Sequence, residues 1–196
     1  KQIDHSVIYR IKTMTPLMKK PVIQCMTDNG KVLFTAKKKD NLIVIGKGST
    51  VHIEKDRSNH VARISMDNGI NNVSCDGQNF IVKFVFLTGP EIFSMETEFV
   101  NKGTKVHWKP KLPKFNNQTN GYTLSIGGEF SRRSIKSTKN CVLINNRDES
   151  CFICRKVAVD EFEIECNPRV SQIIIFALAL SQIIGPNPSY SNIIKM

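Results

Sequence analysis

The stretch Pro168-Arg169-Val170-Ser171-Gln172-Ile173-Ile174-Ile175-Phe176-Ala177-Leu178-Ala179-Leu180-Ser181-Gln182-Ile183-Ile184 decides the fold. From Ile173 to Leu180 it holds no polar residue. Asn167-Pro168 reads as a helix start, with proline in the first turn, and Gly185-Pro186 as a firm stop. A helix that is apolar all round must be buried. A membrane span needs about 20 apolar residues. This run is shorter, flanked by Gln172 on one side and Ser181-Gln182 on the other. The stretch therefore predicts a core helix over Pro168 to Ile184 rather than a membrane anchor.

Everything before it reads as short strands. Pro21 to Met26 precedes the turn signal Asp28-Asn29-Gly30, and Lys31 to Ala36 follows. Lys37-Lys38-Lys39-Asp40 then forms a basic hairpin tip before Leu42 to Ile45. Val51 to Glu54 and Val61 to Met66 are the next candidates, followed by the turn Asp67-Asn68-Gly69. Asn79 to Leu87 is rich in β-branched and aromatic residues and ends at Gly89-Pro90. Ile92 to Val100 alternates Phe93, Met95, Thr97 and Phe99, the period of a half-buried strand. Val106 to Lys109 is a short strand, and Lys109 to Asn120 reads as a polar loop. Tyr122 to Ile126, Cys141 to Ile144, Cys151 to Lys156 and Glu161 to Cys166 complete the series. Such spacing suggests a sandwich or barrel. An apolar helix among so many strands implies strands wrapped around it. The expected organisation is one mainly β domain over residues 1–196, with its core at about 22–184 and a tail at 185–196.

The chain has 196 residues, a net charge of +11 and a pI near 9.5. A basic balance favours an anionic partner: a membrane leaflet, a phosphoinositide headgroup or nucleic acid. Six cysteines in a chain of this length are too sparse for a disulfide scaffold. Lys1 to Arg10 carries no signal-peptide apolar region. Both features suggest free thiols in a reducing compartment.

Several motifs together resemble the carboxy-terminal domain of the tubby family. Phe176-Ala177-Leu178-Ala179-Leu180-Ser181 stands where that family has a helix reading roughly Gln-Ala-Phe-Ala-Ile-Ala-Leu-Ser. Arg155-Lys156-Val157-Ala158-Val159-Asp160-Glu161-Phe162 is similar to its Gly-Arg/Lys-Val-x-x-Asp-x-Phe strand, with Arg155 where glycine is usual. Ser137-Thr138-Lys139-Asn140-Cys141 stands for Ser-Val-Lys-Asn-Phe, and Lys31 to Ala36 for Lys-Val-Phe-x-x-Ala. The resemblance spans most of Val22 to Ile184. It implies a closed antiparallel barrel of about a dozen strands around a central hydrophobic helix.

It also implies a function: binding phosphatidylinositol 4,5-bisphosphate at the plasma membrane, as an adaptor that supports delivery of receptor cargo to cilia by trafficking proteins. Two ring phosphates need several converging cations, helped by side-chain amides. By order in the family motif, Asn41 matches an asparagine of the site and Arg63 a lysine, and Ser65 stands where a second cation is usual. The expected site is therefore Asn41 and Arg63, with Lys37, Lys38 and Lys39 adding charge. The alternatives are a nuclear factor associated with nucleic acid, and a barrel that keeps the fold only and serves as a protein-interaction module. Cytoplasm, with peripheral attachment at the plasma membrane, is the expected location, and cilium or nucleus the alternatives.

Other chemistry finds little purchase. Cys151-Phe152-Ile153-Cys154 is a lone pair of cysteines, and zinc sites need four ligands. Residues three apart on a strand face opposite sides. The four histidines have no ligand spacing. Lys105 to Lys111 and Arg132 to Lys136 are basic patches that suit phosphates weakly, without a nucleic-acid-binding motif. No nucleophile elbow, Walker loop or His-Glu-x-x-His appears. Asp160 and Glu163 read as structural carboxylates. No enzyme activity, small-molecule substrate, metal or cofactor is expected.

Overall fold

The computed structural model describes residues 6–15, 21–54, 57–67, 69–87, 92–118, 120–126 and 134–186. Fourteen strands and one helix follow in order: β1 (Val7–Met14), β2 (Val22–Thr27), β3 (Val32–Lys39), β4 (Leu42–Lys47), β5 (His60–Asp67), β6 (Ile70–Cys75), β7 (Gln78–Phe86), β8 (Phe93–Asn101), β9 (Thr104–Pro110), β10 (Lys114–Asn116), β11 (Gly121–Thr123), β12 (Cys141–Ile144), β13 (Ser150–Ala158), β14 (Glu161–Cys166) and α1 (Gln172–Ile184). Twelve strands form a closed barrel in the order β1-β14-β13-β12-β9-β8-β7-β6-β5-β4-β3-β2. Their pairings are antiparallel throughout. β10 and β11 make a separate two-stranded ribbon. Closure removes the exposed edges that invite aggregation.

The helix fills the barrel. Ile173 through Gln182 are all buried, on every side of α1. Each large apolar side chain taken from water there contributes roughly 1.5–3 kcal/mol. Ala177 and Ala179 are fully buried among the larger residues, where small side chains let the wall approach the helix. Phe176 stacks on Phe34 of β3, ring centroids 6.0 Å apart. Trp108 meets Phe99 edge-on at 5.0 Å and Phe152 at 6.4 Å, so aromatic rings line part of the wall.

The predicted helix start moves. Asn167-Pro168 lies in a turn, and α1 begins at Gln172 behind Ser171. Asn167 accepts from the Arg169 N–H through its side chain at 2.9 Å and from the Val170 N–H through its carbonyl at 3.2 Å. That local turn carries the chain from β14 into the barrel mouth before a helix can begin. The predicted stop holds. Gly185 caps the helix with φ of 79° and donates to the Ser181 carbonyl at 2.9 Å. A Cβ there would lie 2.7 Å from Phe93 Cζ.

Two barrel strands escaped the sequence reading. β1 closes the barrel by pairing with both β2 and β14, so the core begins at Val7 rather than Val22. β6 alternates exposed Ile70, Asn72 and Ser74 with buried Asn71, Val73 and Cys75. Val51 to Glu54 is not a strand. Val51 is buried over Gly46 of β4, where a Cβ would stand 2.9 Å from its side chain. The expected strand Tyr122 to Ile126 shortens to β11, and the expected loop Lys109 to Asn120 contains β10. Leu124 and Ile126 leave that ribbon to cover Val142, Ile144 and Ile153 on the outer wall of β12 and β13.

The barrel has two distinct ends. At one, Ser171 before the helix donates to Asp76 in the β6–β7 turn. At the other, Ile184 of α1 borders the β3–β4 hairpin, and Gln182 reaches the Phe93 carbonyl at the start of β8. The lysine-rich tip thus lies at the end where the helix C-terminus emerges.

Candidate functional site

Strand β5 alternates cleanly. Ala62, Ile64 and Met66 enter the core, while Arg63, Ser65 and Asp67 are exposed. Arg63 stands opposite Val44 of β4 and Ser74 of β6. Ser65 stands opposite Leu42 and Asn72. Ser74 in turn faces Asn79 of β7. Arg63, Ser65, Asn72, Ser74 and Asn79 therefore share one patch of outer wall, over a groove of about 530 Å³ edged by Leu42 and Ile81. One guanidinium, two side-chain amides and two hydroxyls converge on it. Guanidinium groups bind phosphate oxygens through paired N–H donors, and amides and hydroxyls add neutral hydrogen bonds.

The lysines divide. Strand β3 runs to Lys39, so the hairpin tip is the two-residue turn Asp40-Asn41 rather than the lysines themselves. Lys37 pairs with Val44, which places it on the same outer face as Arg63, two strands or roughly 9–10 Å away. Lys39 pairs with Leu42, one row along toward the tip. Lys38 pairs with the core residue Ile43 and so takes the inward register at the barrel mouth. That mouth is a cavity of about 380 Å³ with Ile23, Ile43 and Ile184 on its walls. The expectation that three consecutive lysines charge one site is corrected on this point, because strand alternation separates them.

Two further residues differ from a free phosphate donor. Lys39 is ion-paired with Glu54, and that bond and charge raise the Lys39 ammonium above its ordinary pKa. Asn41 is exposed in the turn, and its carbonyl accepts from the Met66 N–H at 2.8 Å. It stands at the tip, apart from the groove beside Arg63.

The groove partners Asn72, Ser74 and Asn79 were not read from the sequence as site residues. The period-two pattern of Ile70 to Cys75 puts Asn72 and Ser74 on one face. Only the register across β5, β6 and β7 brings them beside Arg63.

The other candidates fall to definite places. Cys154 is fully buried, and that burial pushes its thiol well above the usual range. Cys151 is half-buried with its Sγ 3.3 Å from the Glu149 carbonyl. Among the described residues no group of three or more metal-ligating side chains comes together. In the basic patch of β9, Lys105 pairs with Glu98 at 2.8 Å, His107 with Glu96 at 2.7 Å and Lys109 with Asp148 at 3.5 Å. Trp108 in its centre is buried in the core, away from any base that would stack on it. Of the second basic patch, Arg132 and Arg133 lie outside the described residues.

A different arginine sits in a buried charge cluster. Arg155 on β13 is fully buried. Its Nε donates to Glu163 at 3.3 Å and its Nη1 to Glu165 at 3.0 Å, both on β14. Glu163 is thus a structural carboxylate, as expected, and Arg155 fills with charge the position where the tubby pattern has glycine.

The chain matches no family model and no curated protein. Among solved structures, a protein from Arabidopsis thaliana is similar over 91% of each chain, with a TM-score of 0.51 and 16% identity. At that identity the likeness concerns the fold. The architecture is that of the tubby domain: a twelve-strand antiparallel barrel closed around a hydrophobic helix.

Proposed function

We propose that this barrel binds the phosphorylated headgroup of phosphatidylinositol 4,5-bisphosphate on its outer wall and acts as a membrane-targeting adaptor. The observation that carries the reading is the placement of Arg63 and Lys37 on one face, flanking Val44, beside the amides and hydroxyls of the adjoining groove. Two cations about 9–10 Å apart suit a ligand with more than one phosphate. The net charge of +11 adds attraction to an anionic leaflet. Peripheral residence at the plasma membrane, and the carriage of receptor cargo with trafficking proteins toward cilia, belong to the same proposal. They rest on the tubby resemblance alone.

Ser65 and the Lys39–Glu54 pair favour a second reading, a barrel that keeps the fold and serves as a protein-interaction module. Both remove a free cation from the wall. The paired charges along β9 weigh against a nucleic-acid role.

Headgroup-resolved vesicle binding separates these readings. Vesicles with phosphatidylinositol 4,5-bisphosphate should bind better than vesicles of equal charge made with phosphatidylserine. Soluble inositol trisphosphate should displace the protein. Equal binding to both vesicle types would sink the specific site.

A further inference from the structure

We propose that the barrel seats end-on against an anionic bilayer, with the ribbon β10–β11 entering the lipid interface. This rests on the membrane-binding reading above and adds the orientation and the inserting element.

The two ends differ in what they expose. Around the end where the helix C-terminus emerges, strand tips and turns present Met14, Ile92 and Val159, which are 41%, 38% and 79% exposed. The same end carries the Lys37–Lys39 hairpin. At the other end, the turns after β2, β6 and β8 read Asp28-Asn29-Gly30, Asp76-Gly77 and Lys102-Gly103. Those turns are polar. Val100, 46% exposed, is the large apolar residue beside them among the described residues.

The ribbon concentrates the apolar contrast. The chain leaves β9 at Pro110, still bonded through the Lys111 N–H to the Val142 carbonyl at 2.8 Å. Leu112 follows, 64% exposed. Phe115 and Tyr122 then stand directly opposite each other in the ribbon, 51% and 58% exposed. Their rings meet edge-on with centroids 5.3 Å apart. An isolated two-stranded ribbon is marginal in water, so a large aromatic pair left exposed on one calls for a partner surface. Charge says which kind. From Lys109 to Ile126 the sequence holds three lysines and no acidic residue. Aromatic rings with a polar handle settle at the headgroup boundary of a bilayer, and flanking lysines meet anionic lipid.

The ribbon leaves the wall at β9, four strands from β5, or roughly 19 Å around the barrel. Seating through the ribbon and holding a headgroup beside Arg63 are therefore separate contacts with separable tests.

The test uses vesicles of phosphatidylcholine and phosphatidylserine, with and without phosphatidylinositol 4,5-bisphosphate. The double variant Phe115→Ser/Tyr122→Ser should lose at least about tenfold in binding to both. Val100→Ser, at the opposite end, should bind as the wild type does. A Phe115→Trp reporter should shift its emission to the blue on vesicles and be quenched by lipids brominated near the headgroup. Trp108 is buried and supplies a constant background. The ribbon lies outside the barrel, so thermal melting of the double variant should match the wild type. If that variant does not fold, the conservative tryptophan reporter still decides.

A double variant that binds normally, or a reporter that is neither shifted nor quenched, overturns the seating. So does a wild type that binds no vesicle, which would leave the ribbon to a protein partner. Insertion of the reporter with no preference between the two lipid mixtures would refute the phosphoinositide site while leaving the seating intact. Preference without insertion would do the reverse.

Discussion

Two arginines sit on the outer register of two strands and meet opposite fates. Arg155 alternates with Phe152 and Cys154 on β13, and Arg63 alternates with Ala62 and Ile64 on β5. Arg155 is fully buried against two glutamates. Arg63 is exposed beside hydroxyls and amides, with no carboxylate among the described residues that line its groove. The difference lies in the neighbouring strand and in what covers the wall. β14 offers Glu163 and Glu165 in register, and the same side of the barrel is overlaid at Val142 and Ile153 by Leu124 and Ile126. β6 offers only Asn72 and Ser74, and its wall stays open. A cation whose partners are built into the next strand belongs to stability. A cation given neutral donors and open space is available to an anion from outside.

The largest expected effect breaks the buried member of the comparison. Arg155→Met leaves two carboxylates buried without their counter-ion. Removing one partner of such a cluster costs about 3–5 kcal/mol, which in a chain of this length lowers the melting temperature by roughly 6–20 °C. Replacing the whole cluster, as Arg155→Met/Glu163→Leu/Glu165→Leu, should recover most of that loss, because desolvation of the charges disappears with them. Thermal denaturation of the two variants measures both. A single variant as stable as the wild type would mean that the cluster holds nothing together.

Arg63→Ala should behave in the opposite way. An exposed strand residue away from buried networks changes stability little, here by less than about 2 °C in melting temperature. Binding to vesicles containing phosphatidylinositol 4,5-bisphosphate should fall about tenfold, the loss expected for one charge-assisted phosphate contact. Binding to phosphatidylserine vesicles should fall far less. An unchanged preference would remove Arg63 from the site and dissolve the contrast with Arg155.

Both arginines sit in strands rich in apolar residues, and the contrast between them marks how far the sequence can be read. The apolar run from Ile173 to Leu180 announced a buried helix, because no face of it offers anything to water. The alternation of Ala62-Arg63-Ile64-Ser65-Met66 agrees with the outward Arg63 of the structure, although its order in the tubby pattern is what singles Arg63 out. Neither the burial of Arg155 nor the groove beside Arg63 could be read, since both depend on which residue of a distant strand lies opposite. β6 stayed hidden because its outward residues are polar and its inward face begins with Asn71, so apolar periodicity is faint. β1 has readable alternation at Tyr9, Arg10 and Ile11, yet its role as the closing strand depends on β14, far along the chain. The helix start was misplaced because Pro168 suits a first helical turn and a tight turn equally.

Ser65→Arg sharpens the exposed side. Ser65 stands in the row next to Arg63, between Leu42 and Asn72, at the position where the tubby pattern has a second cation. A guanidinium there should raise affinity for the bisphosphorylated headgroup about fivefold, and affinity for phosphatidylserine by less. Its effect should vanish when Arg63 is also alanine if both groups hold one headgroup, and persist if they act as separate surface charges. A double-mutant cycle in the vesicle assay distinguishes these outcomes.

The smallest effect tests whether Lys39 is withheld from the wall by its neighbour. Lys39 and Glu54 form an exposed ion pair, and the glutamate raises the lysine's pKa. A group raised in this way keeps its charge up to and beyond its ordinary titration, so the Lys39 ammonium stays charged as the pH rises to about 9 and gives way only in stronger alkali. Glu54→Gln removes one negative charge beside the hairpin and frees the ammonium. Vesicle binding should rise by no more than about threefold, to the same extent with either anionic lipid, and the gain should fade as salt is added. It should also be constant as the pH rises to about 9, because the Lys39 ammonium stays charged there. A gain confined to phosphatidylinositol 4,5-bisphosphate would instead place Lys39 in the headgroup site beside Lys37 and Arg63. The divide between built-in and available cations would then run through the hairpin itself, with Glu54 acting as the competitor that an incoming phosphate displaces.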